Sequence, residues 1–173
     1  METEQSAHAT QAAQPATADL VDAYRESGRV QSCEIQFRHF GRRARFSGPI
    51  QTVRVFEDNV LVKRVLSTPG EGSVLVVDGG GSLRSALVGD VMAGLAVENG
   101  WAGLVVWGAV RDVAALERLE IGIKALGSNP WTSMKVGAGV VGVTLRFGNA
   151  TFAPGHWLYA DEDGVLVADG ELR

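Results

Sequence analysis

Two fully apolar runs, VLVV at Val74–Val77 and GLVVWG at Gly103–Gly108, restrict what this chain can become more than any other feature. A strand with one wet face alternates polar and apolar residues, so runs without alternation belong to strands covered on both sides. Between them, GDVMAGLAVENG spaces Val91, Met92, Leu95 and Ala96 as the face of a helix and closes on Asn99-Gly100, a normal C-terminal stop. Strand, helix and strand in that order read as a right-handed parallel crossover.

The remaining pattern adds β structure on both sides. SCEIQF, RRARF and QTVRVF read as β segments, with Gly48-Pro49 turning the chain between the last two. Ala18 to Tyr24 reads as a short helix. EDNVLVKRVLS has helical spacing, with Asp58 or Asn59 as N-cap, and Pro69-Gly70 ends it. SLRSALV, after the glycines, reads as a further short extended segment. IGIKALG, GVTLRFG, HWLYA and GVLVAD supply a β-rich C-terminal third, the last two joined by the turn Asp161-Glu162-Asp163-Gly164. The expectation is a layered α/β domain with a mixed sheet and a second, mostly antiparallel β layer.

Composition narrows the class. The 173 residues suit one domain and include 22 glycines spread between short apolar runs, which disfavours a helical bundle. The N-terminal METEQSAHATQAAQPATADL has neither a basic start nor an apolar core, so residues 1–17 are expected to be a disordered tail, with one domain over 18–173. No apolar run approaches the roughly 20 residues of a membrane span. A formal net charge of −4 argues against a general nucleic-acid binder. Cys33 is the single cysteine, so an internal disulfide is impossible and the expected setting is cytoplasmic.

The glycines of VLVVDGGGS raise a nucleotide or methyl-donor reading, which fails on spacing. A dinucleotide fingerprint requires G-x-G-x-x-G opening a helix. Gly79, Gly80 and Gly81 are contiguous, Arg84 stands where the last glycine belongs, and the helical pattern begins only near Gly89.

The crossover itself points to a ligand site. A helix of this length runs back roughly 15 Å, and the second strand returns about 20 Å. The end of that strand therefore comes alongside the helix N-terminus, the edge where parallel α/β structures bind ligands. There the N–H groups of Val91 and Met92 suit a carboxylate or phosphate. Arg111 can hold a carboxylate bidentately, and Asp112 can hold a hard divalent cation. The competing reading is that Arg111 and Asp112 only cap the VAALERL helix that follows.

At these residues the chain resembles the RraA-like family, which includes class II 4-hydroxy-4-methyl-2-oxoglutarate aldolases. The resemblance rests on FSGPIQTVRVFEDN, VLVVDGGGS, ALVGDVMAGLA, GLVVWGAVRD, IGIKALGSNP and PGHWLYADEDGV, and above all on Gly89-Asp90 followed after twenty residues by Arg111-Asp112. It implies a three-layer β/β/α swivelling-domain fold, assembled as a homotrimer with sites near subunit boundaries. It also implies a pyruvate-like moiety bound by the backbone of Gly89, Asp90, Val91 and Met92 and by Arg111, with Asp112 ligating Mg²⁺ or Mn²⁺. The implied activity is metal-dependent aldol cleavage or oxaloacetate decarboxylation. The alternative within the family is binding and inhibition of the endoribonuclease RNase E.

Two positions depart from the family pattern. Ala115 stands where an acid commonly follows the metal aspartate, and His156 where many members have Asp after Pro-Gly. Loss of an outer carboxylate weakens water activation, so decarboxylation is favoured over aldol cleavage. Lys63, Lys124 and Lys135, the only lysines, lie outside the Gly89–Asp112 segment, which disfavours a Schiff base. In RHFGRRARF the residues Phe40, Ala44 and Phe46 share one phase of a strand, so an inward apolar face is preferred to an RNA-binding reading. His156 is read as structural, and Asp161-Glu162-Asp163 as a solvated turn.

Overall fold

The structure, a computed structural model, describes residues 13–173. Residues 1–12, most of the expected tail, lie outside the described residues. The helices are α1 (Thr17–Tyr24), α2 (Val60–Leu66), α3 (Asp90–Glu98) and α4 (Val113–Leu116). The strands are β1 (Val30–Ser32), β2 (Arg38–His39), β3 (Phe46–Arg54), β4 (Val74–Asp78), β5 (Ala86–Val88), β6 (Gly103–Val110), β7 (Gly122–Ser128), β8 (Val140–Val141), β9 (Leu145–Phe147), β10 (Ala150–Phe152), β11 (Trp157–Asp161) and β12 (Gly164–Ala168).

β3, β4, β6 and β7 form a parallel centre in that spatial order. The expected crossover is therefore present, β4 and β6 pairing Val74 with Gly103 through Asp78 with Trp107. β11, β12 and β1 extend the sheet antiparallel from β3, and β2 covers the far edge of β7.

Alternation along the central strands divides the core in two. Val53, Leu75, Val77, Leu104 and Val106 face the helices and pack with Leu61, Val62, Met92 and Ala96. Ile50, Val74, Val76 and Val105 face the other way, against Phe147, Phe152, Leu158 and Val165 of the β-rich C-terminal third. On that side the rings of Trp107, Phe147 and Phe152 stack with centroids 4.9 and 4.5 Å apart. This is the β/β/α layering, with α1 outermost, its Leu20 packed over Tyr159, Leu166 and Leu172. Among the described residues no helix is long and apolar enough to cross a membrane.

Several local expectations are corrected. Gly48-Pro49 does not turn the chain but lies inside β3. Pro49 pairs with Trp157 in a position whose N–H would point away from β11, since the adjoining bond runs from Ile50 N to His156 O. The ladder to β4 begins only at Ile50, so the missing donor is needed by neither neighbour. RHFGRRARF is not one strand. Gly41 (φ 47°) bends the chain after β2, and Phe40 and Phe46 are buried on opposite faces of the central sheet. SCEIQF contributes only Ser32 to a strand. VAALERL shortens to the single turn of α4.

α3 buries Met92, Ala93 and Ala96, while Val91 is 67 % exposed because the first turn faces a cavity rather than the core. The acidic turn is only partly solvated. Asp161 is buried and accepts hydrogen bonds from Thr17 N (2.7 Å) and Thr17 Oγ1 (2.8 Å), so contacts of the α1 segment begin before Ala18. Burial disfavours the Asp161 charge, but the Thr17 and Asp163 donors outweigh it and hold the carboxyl below its ordinary range.

Candidate active site

β5 does what the crossover argument left unspecified. It pairs with the far end of β6, Val88 opposite Val110, and Arg111 N donates to Val88 O at 2.9 Å. Gly89, the residue that opens α3, is thereby set against Arg111 and Asp112. A Cβ at residue 89 would lie 2.6 Å from Asp112 Oδ2 and 3.4 Å from Arg111 Nε, so only glycine admits the two side chains this close.

Asp112 adopts φ 58°, ψ 39°, a left-handed conformation that Asp tolerates better than most residues. It makes no side-chain cap for α4. Its Oδ2 instead accepts the N–H of Asp90 across the chain at 3.1 Å and lies 3.7 Å from Arg111 Nε. Asp112 is thus the N-cap residue of α4 through its backbone, its carbonyl accepting Ala115 N and Leu116 N at 2.9 Å, while its side chain is directed elsewhere. The carboxylate belongs to the N-terminus of α3, where the helix dipole favours negative charge.

The expected anion site carries a correction as well. The Val91 N–H is not vacant: Asp90 Oδ1 accepts it at 2.8 Å. A carboxylate of the protein thus occupies the position proposed for a ligand carboxylate. Asp90 is exposed, so its side chain can rotate away when another anion arrives.

A cavity of about 650 Å³ opens here, and Gly89, Asp90, Val91, Met92, Arg111 and Asp112 all line it. The site residues expected from sequence are thus brought together. Its other wall was not anticipated: Asn59, Lys63, Arg64 and Ser67 come from α2 and its flanks, and Thr132, Ser133 and Lys135 from the loop after β7. Asn59 donates from Nδ2 to Leu87 O (3.2 Å) and its Oδ1 accepts Lys135 Nζ, which fixes the lysine at the cavity.

The loop is fastened by backbone bonds. Ala86 N donates to Trp131 O at 2.8 Å, and Met134 N donates to Glu57 O at 2.8 Å. Asp58 Oδ2 accepts Val136 N and Gly137 N, while Oδ1 accepts Val60 N. Burial works against the charged form of Asp58, but these backbone donors prevail and hold its carboxyl below the usual range. Lys63 and Lys135 therefore reach the cavity although neither lies between Gly89 and Asp112, which corrects the exclusion of lysines by segment. The spacing of Asn59, Lys63 and Ser67 at four-residue intervals was the available signal on α2; Lys135 offered none.

Ala115 lies on α4, and Glu117 and Glu120 beyond it do not line the cavity. His156 lies at the opposite edge of the sheet, its carbonyl bonded to Ile50 at the start of the β3–β4 ladder. The three glycines after β4 lead to β5 and not into a helix, and Gly80 and Gly81 take positive φ (67° and 72°) beside Phe56 and Trp107. The nucleotide fingerprint is absent in space as in sequence.

A family model described as RraA-like, Aldolase/RraA, matches residues 17–167. The chain is similar to a solved structure described as S-adenosylmethionine: 2-dimethylmenaquinone methyltransferase from Geobacillus kaustophilus, at 47% identity and TM-score 0.89, covering 91% of this chain and 97% of that one. It is similar to the RNA-processing inhibitor RraA from Thermus thermophilis, at 47% identity and TM-score 0.89, covering 93% and 96%. It also resembles Streptomyces coelicolor RraAS2, described as an unusual member of the RNase ES inhibitor RraA protein family, at 26% identity and TM-score 0.74, covering 90% and 80%.

Proposed function

Because the chain belongs to the RraA-like family, we propose that it is a divalent-metal-dependent lyase acting on pyruvate-type 2-oxo acids. The observation that carries this reading is Asp112, turned away from its own helix toward the N-terminus of α3 and beside Arg111. The donor chemistry fits a hard ion held openly. Asp112 offers one carboxylate, 35 % exposed, at the cavity, with Oδ2 beside the Asp90 N–H. Mg²⁺ and Mn²⁺ accept such a site, because water supplies the remaining ligands. When bound, the ion would polarise the 2-keto oxygen as a Lewis acid.

The residues then divide the work. The backbone of Gly89, Asp90, Val91 and Met92 receives the substrate carboxylate, Asp90 rotating off the Val91 N–H. Arg111 donates to the keto oxygen and holds the negative charge that develops there when a carbon–carbon bond breaks. In oxaloacetate decarboxylation that bond's electron pair passes into the enolate, CO₂ departs, and solvent returns a proton to carbon. Aldol cleavage also requires a base for the hydroxyl proton, and Ala115 removes the acid that commonly stands after the metal aspartate. The methyl-donor activity described for the Geobacillus kaustophilus protein is not carried over, since the glycine loop does not open a helix.

The test is oxaloacetate decarboxylation by purified protein with Mg²⁺ or Mn²⁺, then with chelator. Chelation and Asp112→Ala are each expected to reduce turnover to the metal-only background. Full turnover under chelator would overturn the metal assignment and turn attention to Lys63 and Lys135.

A second reading, association with an RNase E-type endoribonuclease, is supported by the similarity to the RNA-processing inhibitor RraA of Thermus thermophilis and to Streptomyces coelicolor RraAS2 of the RNase ES inhibitor family. It would use the outer surface, so Asp112→Ala is expected to retain it. Loss of association in a normally assembled Asp112→Ala protein would place both roles in one pocket. We further propose a homotrimer. Trp131 (73 % exposed), Met134 and Val136 (78 %) flank Lys135 and leave apolar surface beside the cavity, as a subunit boundary would require. Light scattering at micromolar protein should report three chains; a monomer would contradict it.

A further inference from the structure

We propose that a second cavity, at the ends of β3, β4 and β6 on the sheet face away from the helices, binds a flat heteroaromatic small molecule whose ring edge reads acceptor, donor, donor, as guanine does. This cavity, of about 480 Å³, shares no lining residue with the one that holds Arg111 and Asp112, so it stands apart from the lyase reading.

Strand register builds its floor. Arg54 of β3 pairs with Asp78 of β4, and Asp78 with Trp107 of β6, so three unlike side chains stand in one row across parallel strands. The preceding residues Val53, Val77 and Val106 face the helices, which turns the row to the other face. All three line the cavity, at the C-terminal strand ends where α/β sheets bind ligands. Adjacent strands lie about 4.8 Å apart, so Arg54 and Asp78 can meet one ring edge together.

The polar groups have capacity to spare. Asp78 is 8 % exposed, and its Oδ1 accepts Gly80 N at 2.9 Å. Its Oδ2 accepts no hydrogen bond among the described residues, the Arg54 Nε lying 3.6 Å away. A carboxylate so placed is satisfied by ring N–H donors. Arg54, half exposed, donates to Thr144 O at a long 3.4 Å and keeps N–H groups for a ring carbonyl.

The glycines give the ring room. A Cβ at residue 80 would lie 2.8 Å from Phe56 Cδ2, and one at residue 81 would lie 3.5 Å from Trp107 Nε1. Bare backbone there lets Phe56, 54 % exposed, and the indole edge flank the space. Phe147 stacks on Trp107 at 4.9 Å and Arg84 lies 5.9 Å from the Phe56 centroid, so both rings are held in advance. Apolar walls with a few convergent polar groups are what small planar ligands require. The triple glycine thus gains a task other than cradling a phosphate, for which no helix opens at the loop.

The experiment titrates guanosine, inosine and adenosine into the assembled protein, followed by calorimetry and by quenching of tryptophan emission. Inosine, which lacks one donor, is expected to bind about tenfold more weakly than guanosine, and adenosine, whose edge is reversed, about a hundredfold. Asp78→Asn keeps an acceptor for Gly80 N but sets a donor against the ring donors, and should weaken guanosine by about thirtyfold. Phe56→Ala, at an exposed position, should cost about tenfold, and Trp107→Phe should remove most of the quenching. Equal affinity for guanosine and adenosine, or wild-type binding by Asp78→Asn with an unchanged Tm, overturns the site. So does absence of guanosine binding at about 1 mM, a Kd beyond which no specific contact is being made. If an oligouridylate carrying one guanosine bound more than about tenfold tighter than free guanosine, the edge would belong to an RNA strand and the small-molecule assignment would fall.

Discussion

Arg111→Ala is expected to lower kcat/KM for oxaloacetate decarboxylation by two to three orders of magnitude. Its guanidinium stands next to Asp112 with Nε 3.7 Å from Oδ2, on the wall of the cavity and 42 % exposed. A donor placed where charge develops contributes mainly in the transition state, so its loss falls on kcat and kcat/KM together. Arg111→Lys should recover little, because a point charge does not reproduce the planar two-pronged donor. The fold should tolerate the change, since the backbone bond from residue 111 to Val88 O remains. A kcat within threefold of wild type, with normal thermal stability, would remove Arg111 from the chemistry.

The second large effect concerns stability. Gly103 and Gly122 are paired across β6 and β7, and the ring of Phe46 lies against both. A Cβ at residue 122 would come within 1.9 Å of Phe46 Cδ1, and one at residue 103 within 2.1 Å of Cδ2. Gly122→Ala must therefore displace a buried ring at the start of β3, where Phe46 also pairs with Ala160. Overpacking of this kind costs about 3 kcal/mol, which lowers Tm by roughly 10 °C for a domain of this size. Phe46→Ala is itself destabilising through the cavity it leaves. The Gly122→Ala, Phe46→Ala double variant should nevertheless lose less than the sum of the two, because the single clash is shared. A Tm within about 2 °C of wild type for Gly122→Ala would show that the ring has room to move.

These two positions illustrate different degrees of legibility. Arg111 and Asp112 could be placed from the length of the crossover alone, because a helix and a strand of known rise must bring their ends to one edge. The slot for Phe46 could not. Gly103 and Gly122 read only as members of the β segments GLVVWG and IGIKALG, and their purpose depends on a ring from a strand more than fifty residues earlier. Phe40 and Phe46 show the same limit: period-two spacing put them on one face, whereas the bend at Gly41 sends them to opposite faces of the sheet. Pro49, read as a turn, is harmless inside β3 only because of which neighbour pairs on each side of it.

The sequence by itself determined the parallel β4–α3–β6 unit, the edge on which a ligand would sit, and the family, since apolar period, helix stops and the Gly89-Asp90, Arg111-Asp112 spacing are all local in the chain. Tertiary structure alone decided the other half of the cavity. Asn59 and Lys63 reach it because α2 packs beside α3, and Lys135 because Asp58 gathers the backbone of a loop nearly eighty residues away. It also decided that the Asp112 side chain meets the N-terminus of α3, while only its backbone caps α4. Periodicity reports which face of an element is buried, but not which distant element covers it, and a binding site is made of such pairings.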